Sequence, residues 1–424
     1  MMKTLRQVWK TPELRNSILF VIAMLVVFRV ASHIPVPGVN PDNLRAFFQK
    51  NQILGLVNLF SGGALRNFSV VALGVGPYIT ASIIFQLLAM IIPRLEEMQK
   101  DGESGQQRIN QYTRIATVPL AMLQAYSMIS LLRQSQQPII GALSPLEFAG
   151  ILLTMTAGTM LLMWIGELIS EKKIGNGVSI IIFAGIIAGL PQALQQGILT
   201  FDQSQIINMV AFAAIGVITV AGVVFITEGQ RNIPVVYAKR MRGTRLFGGQ
   251  ETYLPLRANM AGVIPIIFAV SIILFPTMVA QLFIHAKTPW VANAAQQTIA
   301  LLQNQLIYGV AFFLLVFIFT YFYTAVVFHP DRVAENLQKQ GGYIPGIRPG
   351  RPTSEYLMRT VNRIIPAGAF FLAVIAVLPI AIQNLTGSRS LVVGGTGLLI
   401  VVSVVIEIVN QINSQLTMRE YESL

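Results

Sequence analysis

Apolar residues run along this chain in blocks parted by short polar segments. Blocks long enough to cross about 30 Å of hydrocarbon, about 17 to 25 residues each, fall at 17–35, 75–92, 115–132, 148–166, 178–194, 206–227, 263–284, 306–328, 364–382 and 391–409. The pattern predicts an all-α polytopic membrane protein with ten transmembrane helices. One stretch, 53–93, departs from it. Ile53 to Phe60 is apolar apart from Gly55 and Asn58, Ser61-Gly62-Gly63 interrupts, Arg66 and Asn67 follow, and a clean span begins only at Val75. A half-helix that enters the membrane and turns back accounts for this order better than a span. Irregular backbone at membrane depth survives only where protein buries it or water lines it, because lipid satisfies no amide or carbonyl. The stretch therefore points to a pore or a substrate cavity.

The blocks divide five and five, into an N-terminal half (1–205) and a C-terminal half (206–424), and the halves echo one another. Gly74-Val75-Gly76-Pro77-Tyr78-Ile79 with Ser82-Ile83-Ile84 in span two matches Gly262-Val263-Ile264-Pro265-Ile266-Ile267 with Ser271-Ile272-Ile273 in span seven. Gly175-Asn176-Gly177 opens span five and Gly395-Thr396-Gly397 is read as opening span ten. With an odd number of spans per half, such a repeat is inverted, which places a functional site at the interface near the midplane.

Composition agrees: 54% of residues are hydrophobic, 11% are charged, and the mean hydropathy is +0.64, outside the range of soluble domains. Charge adds orientation. With a cytoplasmic N-terminus, 23 of the 30 Lys and Arg fall on the cytoplasmic side, so both termini are expected there. Arg29 and Pro35 follow the first apolar run where a signal peptide would carry small residues, so that run is expected to remain a helix. There is no cysteine, and His33, His285 and His329 lie far apart, so no thiol chemistry, metal site or cofactor is expected.

Two loops stand out by length and charge. Residues 228–260 contain Arg231, Lys239, Arg240, Arg242, Arg245 and Arg257, and residues 329–363 contain Arg332, Lys339, Arg348, Arg351, Arg359 and Arg363. The positive-inside rule explains their sign but not their build. Tyr237-Ala238-Lys239-Arg240 reads as a short strand ending at a Gly243 turn, and Ile344-Pro345-Gly346-Ile347-Arg348-Pro349-Gly350 presents an arginine on a loop stiffened by proline. Stiff basic loops suit an acidic partner, either nucleic-acid phosphates or an acidic protein face. Within the spans only Arg29 and Glu407 are clearly charged. Arg29 either marks a pathway or snorkels and braces backbone carbonyls, and Glu407 is placed close enough to the cytoplasmic surface to be solvated. Ion coupling has little to use. What the helices offer instead is aliphatic residues beside glycine or proline: Val75 and Ile79, Val178 and Ile182, and Ile267 and Ile400, the last two read as one turn into their spans. Thr80, Ser82 and Gln86 on span two, and Asn259 and Ser271 near or on span seven, add polar groups suited to interhelical contacts of about 0.6 to 2 kcal/mol.

Several long motifs, in order, resemble those of the bacterial SecY family: Asn58 to Leu65 (NLFSGGAL), Pro77 to Ile84 (PYITASII), Gly102-Glu103-Ser104-Gly105, Gly175-Asn176-Gly177 with Ser179 to Gly185, Asn259 to Pro265 (NMAGVIP) and Pro345 to Gly350 (PGIRPG). The resemblance covers essentially the whole chain. It implies the central subunit of a protein-conducting channel in the bacterial cytoplasmic membrane, with SecE and SecG as companion subunits. It also implies a plug helix at about Leu56 to Phe68, including Phe60, Ser61, Gly62, Gly63, Ala64 and Leu65, beneath a pore ring of Val75, Ile79, Val178, Ile182, Ile267 and Ile400. Spans two and seven would form a lateral gate to membrane lipid, with Thr80, Gln86, Asn259 and Ser271 as its polar residues. The basic loops would dock the motor ATPase SecA or ribosomal RNA through Lys239, Arg240, Arg245, Arg348 and Arg351. The substrate would be an unfolded polypeptide with its signal sequence.

Two departures from the family pattern bear on this. Valine fills two ring positions where isoleucine prevails, which is expected to loosen the constriction, and the stretch after span ten has only Arg419 as a base, so no docking help is expected from it. No phosphate-binding loop is present, so the chain is not expected to be an enzyme and energy must come from a partner. The alternatives are a secondary transporter of a small solute built from inverted repeats and an insertase scaffold without an aqueous pore.

Overall fold

The computed structural model describes residues 8–37, 39, 43–44, 58, 61–133, 139–141, 144–199, 206–237, 240–242, 245–247, 251–284, 286–386 and 390–422. In chain order its elements are α1 (Pro12–Ala31), α2 (Gly76–Ile91), α3 (Pro93–Lys100), α4 (Glu103–Arg133), α5 (Pro145–Glu171), α6 (Gly177–Leu199) and α7 (Ile206–Glu228). There follow β1 (Gln230–Tyr237), β2 (Arg240–Arg242), β3 (Arg245–Phe247) and β4 (Glu251–Arg257), then α8 (Ile264–Phe283), α9 (Pro289–Gln303), α10 (Gln305–Val327) and α11 (Pro330–Lys339). β5 (Gly342–Tyr343), α12 (Arg351–Thr386) and α13 (Ser390–Glu422) complete the chain.

Each apolar window falls on a helix. Among the described residues seven helices are long and apolar enough to cross a membrane alone, or eight if α2 and α3, bent by 106° at their junction, form one broken span. The bend sits at Ile92, whose extended backbone (φ −96°, ψ 112°) precedes Pro93, because proline disfavours a helical residue before it. α6 and α7 contribute the shorter apolar runs Gly177–Pro191 and Gly216–Glu228. The protein is thus a multi-pass helical membrane protein. Hydropathy missed α3, α9 and α11, which are too short or too polar to register as blocks.

Helix starts follow local chemistry. Proline occupies the first turn of α1, α2, α5, α8, α9 and α11, where no intrahelical N–H bond is lost. α5 also opens with a capping box between Ser144 and Glu147. The echo between spans two and seven extends to the backbone. Gly74 (φ 61°) and Gly262 (φ 64°) both turn left-handed, Val75 and Val263 are the N-caps, and Pro77 and Pro265 lie in the first turn. The second echo does not hold. Gly177 does begin α6, but α13 begins at Ser390, so Gly395-Thr396-Gly397 lies inside the helix and Ile400 is nearly three turns in. Glycine inside a membrane helix does not break it, since no water competes for the backbone bonds.

Three apolar clusters organise the interior. The central one draws on α1, α2, α5, α6, α7, α8, α10, α12 and α13. A second gathers the loop before α2, the C-terminal half of α4 and the start of α5. The third lies under the sheet and joins Ile233, Val235, Leu256, Leu337, Ile344 and Leu357. Across the two halves of the sequence the main packing seams are α8 against α2 and α4, and α13 against α6.

Candidate functional site

The six aliphatic residues singled out for a ring all belong to or pack against the central cluster. Val75, Ile79, Ile182, Ile267 and Ile400 are buried in the central cluster, and Val178 is half-buried against it. Four elements supply them. Val75 caps α2 and Ile79 lies one turn in, Val178 and Ile182 occupy the first turns of α6, Ile267 the first turn of α8, and Ile400 the interior of α13. Ala64 and Val71, from the loop before α2, belong to the same cluster. The site is wholly aliphatic, so it can exclude water and yield to a passing chain but has no group that would coordinate an ion.

The interrupted stretch is described in part: Asn58 is helical, residues 61–75 run as turns with a bridge from Ser69 to Pro35, and Leu56 and Phe60 lie outside the described residues. Asn58 organises the first turn: its carbonyl accepts from Gly63 N–H at 2.9 Å and its side-chain Oδ1 from Arg66 N–H at 2.8 Å. Ser61 Oγ accepts from Leu65 N–H at 3.0 Å. Gly62 (φ 67°) and Gly63 (φ 81°) take left-handed conformations that a side chain would resist. Ser61, Ala64 and Leu65 are buried. Phe68 is buried too and holds φ at 43°, a conformation a bulky residue keeps only when its packing over-determines it. Leu65 and Phe68 sit in the second cluster, so the segment joins that cluster to the central one.

Neighbouring helices clasp this segment at Gly62. A side-chain carbon there would meet the Phe28 ring of α1 and, at 2.9 Å, the Gly185 Cα of α6. Arg29 Nη1 donates to the Gly62 carbonyl at 3.0 Å. Of the two readings of Arg29, bracing a carbonyl is the one with a partner. Gly185 closed the Ser179 to Gly185 motif in the sequence, and a small residue at helical depth was the signal for this close approach.

The polar residues proposed for the α2–α8 seam serve their own segments. Thr80 Oγ1 donates to Gly76 O at 3.1 Å, Gln86 Nε2 to Ser82 Oγ at 3.1 Å, and Asn259 Nδ2 to Gly262 O at 3.1 Å. Ser271 is half-buried on α8. Among the described residues the buried Gln86 Oε1 and Asn259 Oδ1 have no hydrogen-bond partner. The expected interhelical bonds are therefore not made by these groups, and the seam is held by apolar packing of α2 on α8.

The two basic loops form one platform. β1 pairs antiparallel with β4, from Gln230 with Arg257 to Val236 with Glu251, and on its other edge with β5, Val236 with Tyr343 and Tyr237 with Gly342. Of the 237–240 stretch, Tyr237 ends β1 and Arg240 begins β2, which pairs with β3 through Arg240 with Phe247 and Arg242 with Arg245. Lys239 and Gly243 lie outside the described residues. Arg348 is exposed, on a loop whose Gly346 and Gly350 have positive φ. Thr353 Oγ1 holds the Arg348 carbonyl at 2.9 Å, and Ile347 N–H closes on Ile344 O at 3.0 Å. Arg351 is exposed and pairs with Glu355 at 3.4 Å within α12.

A SecY family model matches residues 69–409. The protein translocase subunit SecY of Streptomyces galbus is 44% identical over 441 residues, covering 100% of this chain and 99% of that protein. Its counterpart in Corynebacterium glutamicum is 45% identical over 443 residues, covering 100% of both. Among solved structures, a protein-conducting channel superposes with a TM-score of 0.65 at 18% identity, covering 93% of this chain and 91% of that one. A SecY structure described through its plug domain, which stabilises that channel's closed state and membrane seal, gives 0.64 at 18% identity, with 93% and 91% covered. Sec61 in a canine ribosome–channel complex gives 0.61 at 17% identity with the same coverage. At such identities the superpositions show a common fold.

Proposed function

The chain belongs to the SecY family of protein translocase subunits, and from that premise we propose how it conducts protein. Unfolded secretory polypeptides pass through the constriction of Val75, Ile79, Val178, Ile182, Ile267 and Ile400, and apolar segments leave sideways between α2 and α8. The observation that supports this reading is that those six residues, from four separate elements, all lie in or against the central apolar cluster. An aliphatic constriction dewets when empty and closes loosely around an extended chain, limiting ion leak without binding the substrate tightly. Residues 61–68 act as the plug behind it. The sequence halves 1–205 and 206–424 part along the α2–α8 seam. A signal sequence moving from the aqueous interior to lipid gains about 25 cal/mol per Å² of apolar surface buried. Among the described residues no interhelical bond from Thr80, Gln86 or Asn259 opposes that exit.

The chain sits in the bacterial cytoplasmic membrane with both termini cytoplasmic, a reading supported by the Lys and Arg distribution. SecE and SecG accompany it, and the sheet platform, with Arg348 foremost and Lys239, Arg240, Arg245 and Arg351 beside it, docks SecA or the ribosome. Photo-crosslinkers at Ile79, Ile267 and Ile400 test the channel. Each is expected to form adducts with a secretory chain arrested in transit. Crosslinks confined to lipid or to neighbouring helices would refute it and favour a scaffold without an aqueous pore.

A further inference from the structure

The geometry around Gly62 points to Arg29 as the residue that holds the plug closed, and we propose that the plug leaves its seat only when the Arg29–Gly62 bond breaks. This rests on reading residues 61–68 as the plug. Arg29 lies in the last turn of α1, and its Nη1 reaches across to the Gly62 carbonyl at 3.0 Å. The residue before it, Phe28, is buried and presses its ring against the face of Gly62 where a side chain would stand, and Gly185 of α6 crowds the same face. Two successive residues of α1 thus grip one glycine of the plug, one by shape and the other by charge.

A guanidinium suits this task. Turn-built backbone within an apolar cluster leaves carbonyls that neither a helix nor lipid satisfies. A charged donor makes a bond roughly twice as strong as a neutral one. An ionisable group at membrane depth is costly enough that a structural or functional return is expected of it. Capping α1 is not that return, because Ser32 already does so: its N–H donates to Phe28 O at 2.9 Å and its Oγ to Arg29 O at 2.7 Å. The guanidinium is left for the plug.

The test measures resting ion leak through the intact translocase complex in planar bilayers for the parent, Arg29→Met, Arg29→Lys, a deletion of residues 60–65, and the deletion combined with Arg29→Met. Methionine keeps an apolar stem and removes only the donor and its charge, so insertion is not impaired. Arg29→Met is expected to raise the leak to at most that of the deletion. The combined variant is expected to leak like the deletion alone, and Arg29→Lys, which keeps a charged donor, to restore part of the seal. A leak at the parent level in Arg29→Met, with the deletion leaking, overturns the role of Arg29 and leaves the plug standing. A combined leak equal to the sum of the two single effects overturns it as well, because Arg29 would then act on structure outside the plug. No leak from the deletion refutes the plug itself. Thermal unfolding of Arg29→Met in detergent checks that the fold is intact.

Discussion

Gly185 shows how much one missing methyl group can matter in this protein. The Gly62 Cα occupies the space that a side-chain carbon on Gly185 would need. Gly185→Ala is therefore expected to push the 61–65 turn away from α6, at about 1–3 kcal/mol for overpacking. It should appear as a raised resting leak and a lower unfolding temperature; a parent-like leak would show that the turn has room the structure does not give it. The six residues proposed for the ring were assigned through the family resemblance, because aliphatic side chains recur throughout the spans. The sequence flagged Arg29 as costly but could not name its partner, which is a backbone carbonyl 33 residues away and leaves no mark in side-chain identity. Asn58 was legible only as a break in an apolar run, whereas its side chain and carbonyl tie both ends of the first plug turn.

Helices α2 and α8 were legible to within one residue at each end because each is started by a left-handed glycine, a valine cap and a first-turn proline. The 391–409 window met the start of α13 at Ser390 to within one residue, but Gly395-Thr396-Gly397 was misread as its opening, since glycine punctuates helices in water more strongly than in a membrane. Its far end carries a role the sequence also hid. Glu407, read as solvated, is half-buried and accepts a hydrogen bond from the Asn176 backbone N–H. Asn410 Nδ2 donates to Glu228 at 2.9 Å, and Gln415 Nε2 to the Lys173 carbonyl at 2.5 Å. One helix of the second half thus holds the 172–177 turn of the first at two points. Gln415→Ala combined with Glu407→Gln removes or weakens contacts worth about 1 kcal/mol each. The expected outcome is a broader distance distribution between spin labels on that turn and on α13. An unchanged distribution would mean that packing of α6 on α13 suffices. The absence of native cysteine lets such labels be placed without background.

For the molecule as a whole, hydropathy and the Lys and Arg count were enough to read a multi-pass helical protein and its expected orientation. They could not reveal that the two basic loops share a sheet, because β5 is two residues long and too short for any alternation to register. The docking role assigned to the platform predicts that Arg348→Glu stops SecA-driven export while the protein stays folded and in the membrane. Arg348 is exposed, so the change should not disturb packing. Normal export rates in that variant would count against docking at this loop. The sheet also has a mechanical meaning. β1 runs on from α7, β4 leads into α8, and β5 is joined through the 344–350 loop to α12. A partner docked there as proposed would press on a hydrogen-bonded plate whose corners are the ends of three membrane helices, one of them the proposed edge of the exit to lipid. On that reading the plate is a lever, and a push delivered at one arginine would be felt as torque on the end of α8.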